Sequence, residues 1–275
     1  MVKENISLND FKLFKILILK KNNLIILANS KYSNFGLGDY LRILTFLPNL
    51  KFKNYFWISD KKLFPIADNC DFIISKYKMG TKIAKRKITE SDLIIDLYNK
   101  KKKFKNSLLI NSILKKTKNI KINTLDICDV LSEYFKIKNY KLFTNKKKKN
   151  NKNFIFFNWI VPFDWRMKEY PLSKWKLLEK TIYEEYPNSK IIWQKTNDNL
   201  SQLFKKIENS KIIISTVGLG SHIAMLFNKK TILLCGPTYF NEVKDFKNTK
   251  IIKSLNLCKI HKKKLNLKLN KCKCM

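Results

Sequence analysis

The chain has 275 residues, 45% of them hydrophobic, enough for one large domain or two moderate ones. Its 57 Lys+Arg against 21 Asp+Glu give a formal net charge of +36, a balance that ordinarily points to nucleic acid or an anionic membrane surface. Here the charge is carried by lysine along the whole chain, with arginine only at Arg42, Arg86 and Arg166. It reads as compositional drift, and a specific base-reading site is not expected.

The first strongly apolar region, Phe11 to Ala28, is broken by Lys12, Lys15 and the run Lys20-Lys21-Asn22-Asn23, whereas a spanning helix needs about 20 nearly uncharged residues. The start also shows no compact apolar core and no small-residue cleavage site of a signal peptide. The expectation is a cytoplasmic protein able to associate peripherally with the inner face of the cytoplasmic membrane. Leu24 to Ala28 then reads as a strand. It leads through Asn29–Leu37 into Gly38-Asp39 and a helix to about Phe46, ended by Pro48. Asp39 in a first helical turn is a dipole-stabilised cap or, at the mouth of a strand-to-helix turn, a general base.

Further strands are expected at Tyr55–Ile58, Phe72–Ser75, Leu93–Leu97 and Leu108–Asn111. A helix is expected over Leu125–Phe135, with Thr124 as its N-cap. The run from Asn145 to Asn153 carries no apolar residue. It marks either a linker between two domains or a long surface loop. The division it suggests is a first domain over 1–144, a linker over 145–153, a second domain over 154–257 and a basic Cys-containing tail over 258–275.

Past that run, Phe154–Phe157 is a strand, Ser173–Tyr186 a helix, Lys190–Trp193 a strand and Asn199–Ile207 a helix. Between the first two lies a segment with Arg166 and Lys168, either ordinary surface charge or a pair able to neutralise a diphosphate. Tyr170-Pro171 there is a helix-start signal. The most telling stretch follows, Lys211 to Thr238. A β-branched strand over Lys211–Ser215 meets a loop with Gly218 and Gly220, Ser221 and His222 open an apolar helix through Phe227, and Thr231–Cys235 is a second strand stopped by Gly236-Pro237. Consecutive units of this kind build parallel sheets with ligands at the strands' carboxyl ends. A glycine loop feeding a helix N-terminus suits a phosphate. His222 there is a neutral capping or core histidine, or a ligand contact.

Cys70, Cys128 and Cys235 lie in apolar contexts and read as small buried hydrophobes. Cys258, His261, Cys272 and Cys274 supply four potential zinc ligands at a spacing unlike any standard finger, so reduced thiols are the main expectation and a structural metal the alternative.

Three segments in order, GLGDYLRILTFLPNLK (Gly36–Lys51), KEYPLSKW (Lys168–Trp175) and GLGSHIAMLFNKKTILLCGPT (Gly218–Thr238), resemble the bacterial heptosyltransferases of lipopolysaccharide biosynthesis, which use ADP-heptose. The resemblance runs from about Leu24 to Thr238. It implies an α/β fold of the GT-B architecture, two Rossmann-like domains facing across a cleft, the first for the acceptor and the second for the donor nucleotide. It implies inverting sugar transfer without a required metal or other cofactor, from a nucleotide-diphosphate sugar to a glycolipid or oligosaccharide acceptor. The sequence accordingly contains no Asp-x-Asp motif of metal-dependent glycosyltransferases.

Carried over residue by residue, the resemblance makes Asp39 the general base and Lys168 the group that offsets the departing diphosphate. Arg166, Gly218, Gly220, Ser221, His222 and Thr238 fall on the donor side. One position departs from the family pattern: Val217 stands where an acidic residue is usual, five positions before the histidine. Another nucleotide sugar is therefore compatible with the chain. A non-catalytic relative that binds nucleotide or glycan, and a charge-driven nucleic-acid binder, are the alternative readings.

Overall fold

The computed structural model describes residues 22–29, 36–97, 104, 107–110, 113, 126–145, 154–236, 243 and 247–255. They fall into two compact units. One is drawn from Met1–Gly36, Phe46–Ile122 and Cys128–Lys141, the other from Leu37–Thr45, Asn123–Ile127 and Leu142–Met275.

The first unit contains a five-stranded parallel sheet of order β3-β2-β1-β4-β5. Its strands are β1 (Asn23–Leu27), β2 (Asn54–Ser59), β3 (Ile73–Lys78), β4 (Leu93–Asp96) and β5 (Ser107–Leu109). β1 and β4 are buried nearly throughout, as expected for central parallel strands covered on both faces. β3, at the edge, alternates half-buried and exposed positions and places Ile74, Lys76 and Lys78 outward, the lysines guarding an otherwise open edge. Ile25, Leu27, Phe56, Ile58 and Ile94 form a core cluster with Ala84 from α3 (Lys82–Thr89). Thr81 caps α3 by accepting from the Ala84 amide. The short helix α2 (Phe64–Asp68) starts on Pro65, and α4 (Ile127–Tyr134) buries Cys128, Val130 and Leu131.

The second unit is built on another five-stranded parallel sheet, of order β10-β9-β8-β6-β7. Its strands are β6 (Phe154–Asn158), β7 (Lys190–Trp193), β8 (Ile212–Thr216), β9 (Lys230–Cys235) and β10 (Thr249–Lys253). The helices α5 (Leu172–Glu185), α6 (Leu200–Asn209) and α7 (Leu219–Leu226) make the crossovers between its first four strands. α5 begins directly after Pro171, whose fixed φ suits a helix start. α6 carries a capping box between Asn199 and Gln202.

The two faces of this sheet hold different cores. Phe157, Ile214, Ile232 and Leu234 pack with Trp175, Leu178 and Ile182 of α5 on one side. Leu233 and Cys235, the alternate residues of β9, pack with Val217, Met225 and Val243 on the other. This period-two split is what a strand covered on both sides requires. The expected apolar helix after the glycine loop is buried from Gly220 to Leu226.

One helix crosses the chain order. α1 (Leu37–Phe46) follows β1 in sequence, yet its residues 37–45 group with the second unit. Of the run expected to be polar linker, Asn145 is buried and its amide donates to the Leu226 carbonyl, while 146–153 lie outside the described residues. Thr124, Thr238 and the tail candidates Cys258, His261, Cys272 and Cys274 lie outside them too. Cys70, Cys128 and Cys235 are buried, as the sequence suggested. No helix among the described residues is long and apolar enough to cross a membrane.

Candidate functional site

In an open parallel sheet, the carboxyl ends of the two strands where the order reverses leave a crevice between diverging loops. In the second unit those strands are β6 and β8, neighbours in the sheet but not in sequence. Every second-unit residue named as a site candidate within the described residues comes from the segments that follow these two strands, or from α1.

β6 ends at Asn158, which is buried and donates through Nδ2 to the Ser215 hydroxyl at 2.8 Å. Ser215 in turn donates to the Thr216 carbonyl, so the ends of β6 and β8 are tied by side chains as well as by the ladder. The chain leaving β6 is held by Gln194 at the end of β7, whose carbonyl accepts from the Trp159 indole at 2.9 Å and whose side-chain oxygen accepts from the Ile160 amide at 3.3 Å. A 3-10 turn over Phe163–Lys168 follows. Met167 is buried and anchors it, Arg166 is exposed, and Lys168 is half-buried with its ammonium 4.5 Å from the centre of the Trp165 ring. That cation–π contact restrains a long, flexible side chain on one side of the crevice.

β8 ends at Thr216, and Val217 packs into the apolar cluster with Met225 and Leu233. The position that departs from the family pattern thus contributes to the core. Gly218 is extended, at φ 171°, and among the described residues no atom lies within 4 Å of where its Cβ would sit. Conformation therefore does not require a glycine at 218. Gly220 is different, because a Cβ there would lie 2.3 to 2.4 Å from three side-chain atoms of Asn158. The close approach of the loop to β6 is what requires it. The Ser221 hydroxyl donates to the Gly218 carbonyl at 2.8 Å and accepts from the Gly218 amide at 3.1 Å. Ser221 is fully buried and holds the turn in shape from inside.

His222 stands in the first turn of α7 with 4% of its surface exposed. Its ring lies against Gly38 of α1: a Cβ at 38 would sit 2.5 Å from Cδ2 and 3.2 Å from Nε2. Burial, and then the positive charges of Arg42 and Lys168, hold its pKa well below the usual 6.5. The imidazole is neutral at pH 7, as the sequence suggested for a helix N-terminus. Arg42, one turn along α1 from Gly38, is itself buried and ion-paired with Asp126. Asp39 occupies the first turn of α1 and is half-buried.

The second unit thus brings together Gly218, Gly220, Ser221, His222, Lys168 and the start of α1 that carries Asp39, with Arg166 exposed nearby in sequence. Sequence reasoning missed Asn158, Gln194, Gly38, Arg42 and Asp126 as parts of this arrangement. Asn158 alone gave a signal, a polar residue closing a run of aromatic and β-branched residues. Among the described residues no group of three or more His, Cys, Asp or Glu could hold a metal ion.

No family model matches the chain, and no curated protein does. Solved structures do. The glycosyl transferase family 9 protein from Veillonella parvula matches with a TM-score of 0.50 at 11% identity, over 88% of this chain and 89% of that one. The E. coli ADP-heptose lipopolysaccharide heptosyltransferase II matches with a TM-score of 0.61 at 10% identity, over 84% and 90%. The E. coli heptosyltransferase WaaC, solved with ADP, matches with a TM-score of 0.54 at 11% identity, over 84% and 93%. At such identities the likeness is one of fold, and the chain has the α/β fold of the heptosyltransferase-like glycosyltransferases.

Proposed function

We infer that the chain is an inverting, metal-independent glycosyltransferase that moves a sugar from a nucleotide-diphosphate donor to a glycolipid or oligosaccharide acceptor. The observation that carries this reading is the convergence on His222 of Lys168, the Gly218–Ser221 turn and the Asp39-bearing start of α1. It occurs at a sheet reversal in a fold shared with enzymes of that class. ADP-heptose is the first donor to try, because structures of this fold have been solved with ADP and with ADP-2-deoxy-2-fluoro heptose. A lipopolysaccharide precursor is the first acceptor to try. The first unit is assigned the acceptor, the second the donor.

In the proposed reaction Asp39 takes the proton from an acceptor hydroxyl as its oxygen attacks the anomeric carbon. The bond from that carbon to the diphosphate oxygen breaks on the opposite face, and the electron pair leaves with the nucleotide diphosphate. Negative charge grows on the leaving group. Lys168, held over Trp165, and the positive end of the α7 dipole would be preorganised to meet that charge. Gly218, Gly220, Ser221 and His222 shape the turn at the start of α7, Arg166 adds a solvent-side cation, and Thr238 is assigned to the donor side on the family resemblance alone. Val217 supplies no carboxylate to the donor, so cations and backbone carry more of its recognition than the family pattern would give. The lysine-rich surface suits a bilayer of anionic lipid at the cytoplasmic membrane face, where a glycolipid acceptor would be met.

The test is calorimetric titration at physiological salt with a panel of nucleotide-diphosphate sugars and the free diphosphates. One of them should bind saturably. Lys168→Ala should weaken that binding and lower turnover about 10²- to 10³-fold, the scale of removing one preorganised donor from a developing charge. A folded protein that binds none of them is a non-catalytic relative or a charge-driven binder, and the reading fails.

A further inference from the structure

We propose that the His222 side chain is a positioning residue, which fixes the first turn of α1, and with it the Asp39 carboxylate, against the Gly218–Ser221 turn. This goes beyond the donor-side part given to His222 above, and its catalytic meaning rests on the glycosyltransferase reading. Gly38 lies in helical backbone and takes no positive φ, so its lack of a side chain answers to contact. The contact is the imidazole, whose Cδ2 would come within 2.5 Å of a Cβ. The ring therefore fills the notch that glycine leaves in α1, one residue before Asp39.

Three further observations describe the ring's surroundings. It is 4% exposed, and its backbone amide donates to the Gly218 carbonyl at 3.2 Å. It also stands in the fields of Arg42, on the same helix as Gly38, and Lys168, on the 3-10 turn. Arg42 is clamped by Asp126, so α1 cannot roll about its axis without separating a buried ion pair. One imidazole thus touches or faces all three segments of the site: the carboxylate's helix, the cation's turn and the glycine turn. A displacement of about 1 Å at a reacting group can cost about 100-fold in rate, so the contact bears directly on turnover.

The test is a double-mutant cycle on the full-length chain with Gly38→Ala, His222→Ala and the combination, read by hydrogen exchange in the peptide spanning Leu37–Phe46 and by kinetics. Each single change should speed exchange in that peptide several-fold while β6 and α5 keep wild-type rates. Each should also lower kcat about 10- to 100-fold, and Gly38→Ala, which leaves the donor turn itself intact, should keep donor affinity within about threefold of wild type. The double variant should be no worse than His222→Ala, since the added methyl occupies the space the ring vacated. Should His222→Ala fail to fold, His222→Ser, whose side chain ends before the ring atoms that crowd Gly38, takes its place in the cycle. Unchanged exchange in the α1 peptide, a rise everywhere at once, or additive effects at 38 and 222 overturns the proposal. A wild-type chain that turns over no nucleotide sugar sinks the glycosyltransferase reading instead, and the exchange pattern alone then decides the contact.

Discussion

His222 is a histidine buried among cations, and its energetics follow from that. Burial comes first, then Arg42, then Lys168, and all three disfavour its protonated form. In the unfolded chain the same imidazole titrates near its ordinary 6.5. Above that value both states hold it neutral, and the stability tied to it is fully present. Below it the unfolded chain takes up a proton that the folded one refuses, and stability is lost as pH falls, by at most about 1.4 kcal/mol per unit for one group. Urea unfolding of wild type and His222→Gln at intervals from pH 7.5 to 5 should therefore give curves that converge as the medium becomes acidic. Parallel curves would mean that the folded protein accommodates the imidazolium. Arg42 and Asp126 belong to the same patch and explain how it tolerates a buried guanidinium, because each ion is neutralised where water cannot reach it.

At the scale of elements, the turn between β8 and α7 is held by β6 as much as by its own sequence. Asn158 bonds Ser215 on β8 and leaves no room for a Cβ at 220. Gly220→Ala should cost about 1–3 kcal/mol, as overpacking does elsewhere. The loss should shrink in an Asn158→Ser background, with thermal unfolding of the four proteins as the measurement. Equal losses in both backgrounds would show that the loop, and not Asn158, demands the glycine.

This coupling also explains what could be read from the sequence. β1 to β9, with α1, α4, α5, α6 and α7, were legible because apolar runs, glycines and prolines mark them locally. α3 escaped, since KIAKRKIT is half basic and offers only Ile83, Ala84 and Ile88 as apolar positions. β10 escaped because TKIIK is an edge strand with lysines at two of its five positions. Gly218, Gly220, Ser221, His222 and Lys168 were singled out as candidates from local pattern and from the family resemblance. Gly38 against His222 and Arg42 against Asp126 were not, because such pairs are made by the path of α1 and leave no local spacing to read.

Over the whole molecule the dominant fact is a net charge of +36 on 275 residues. Like charges at that density repel one another, and the compact state, which holds them closest, bears most of the repulsion. A few exposed pairs, such as Arg86 and Lys87 with Glu90, relieve it locally, but exposed pairs contribute little. Screening should do more. Raising sodium chloride from about 50 to 300 mM shortens the Debye length from roughly 14 to 6 Å, so the melting temperature should climb over that range. A flat response would mean that the lysines are far enough apart for water alone to separate them. The same experiment distinguishes a general appetite for anions from a built site. At fixed ionic strength, a nucleoside diphosphate that binds the turn at β6 and β8 should raise the melting temperature further and saturably, and Lys168→Ala should remove that increment while leaving the salt response intact. If the increment instead survives Lys168→Ala and tracks only ligand charge, the lysine surface as a whole is the binder, and nucleic acid becomes the partner to pursue.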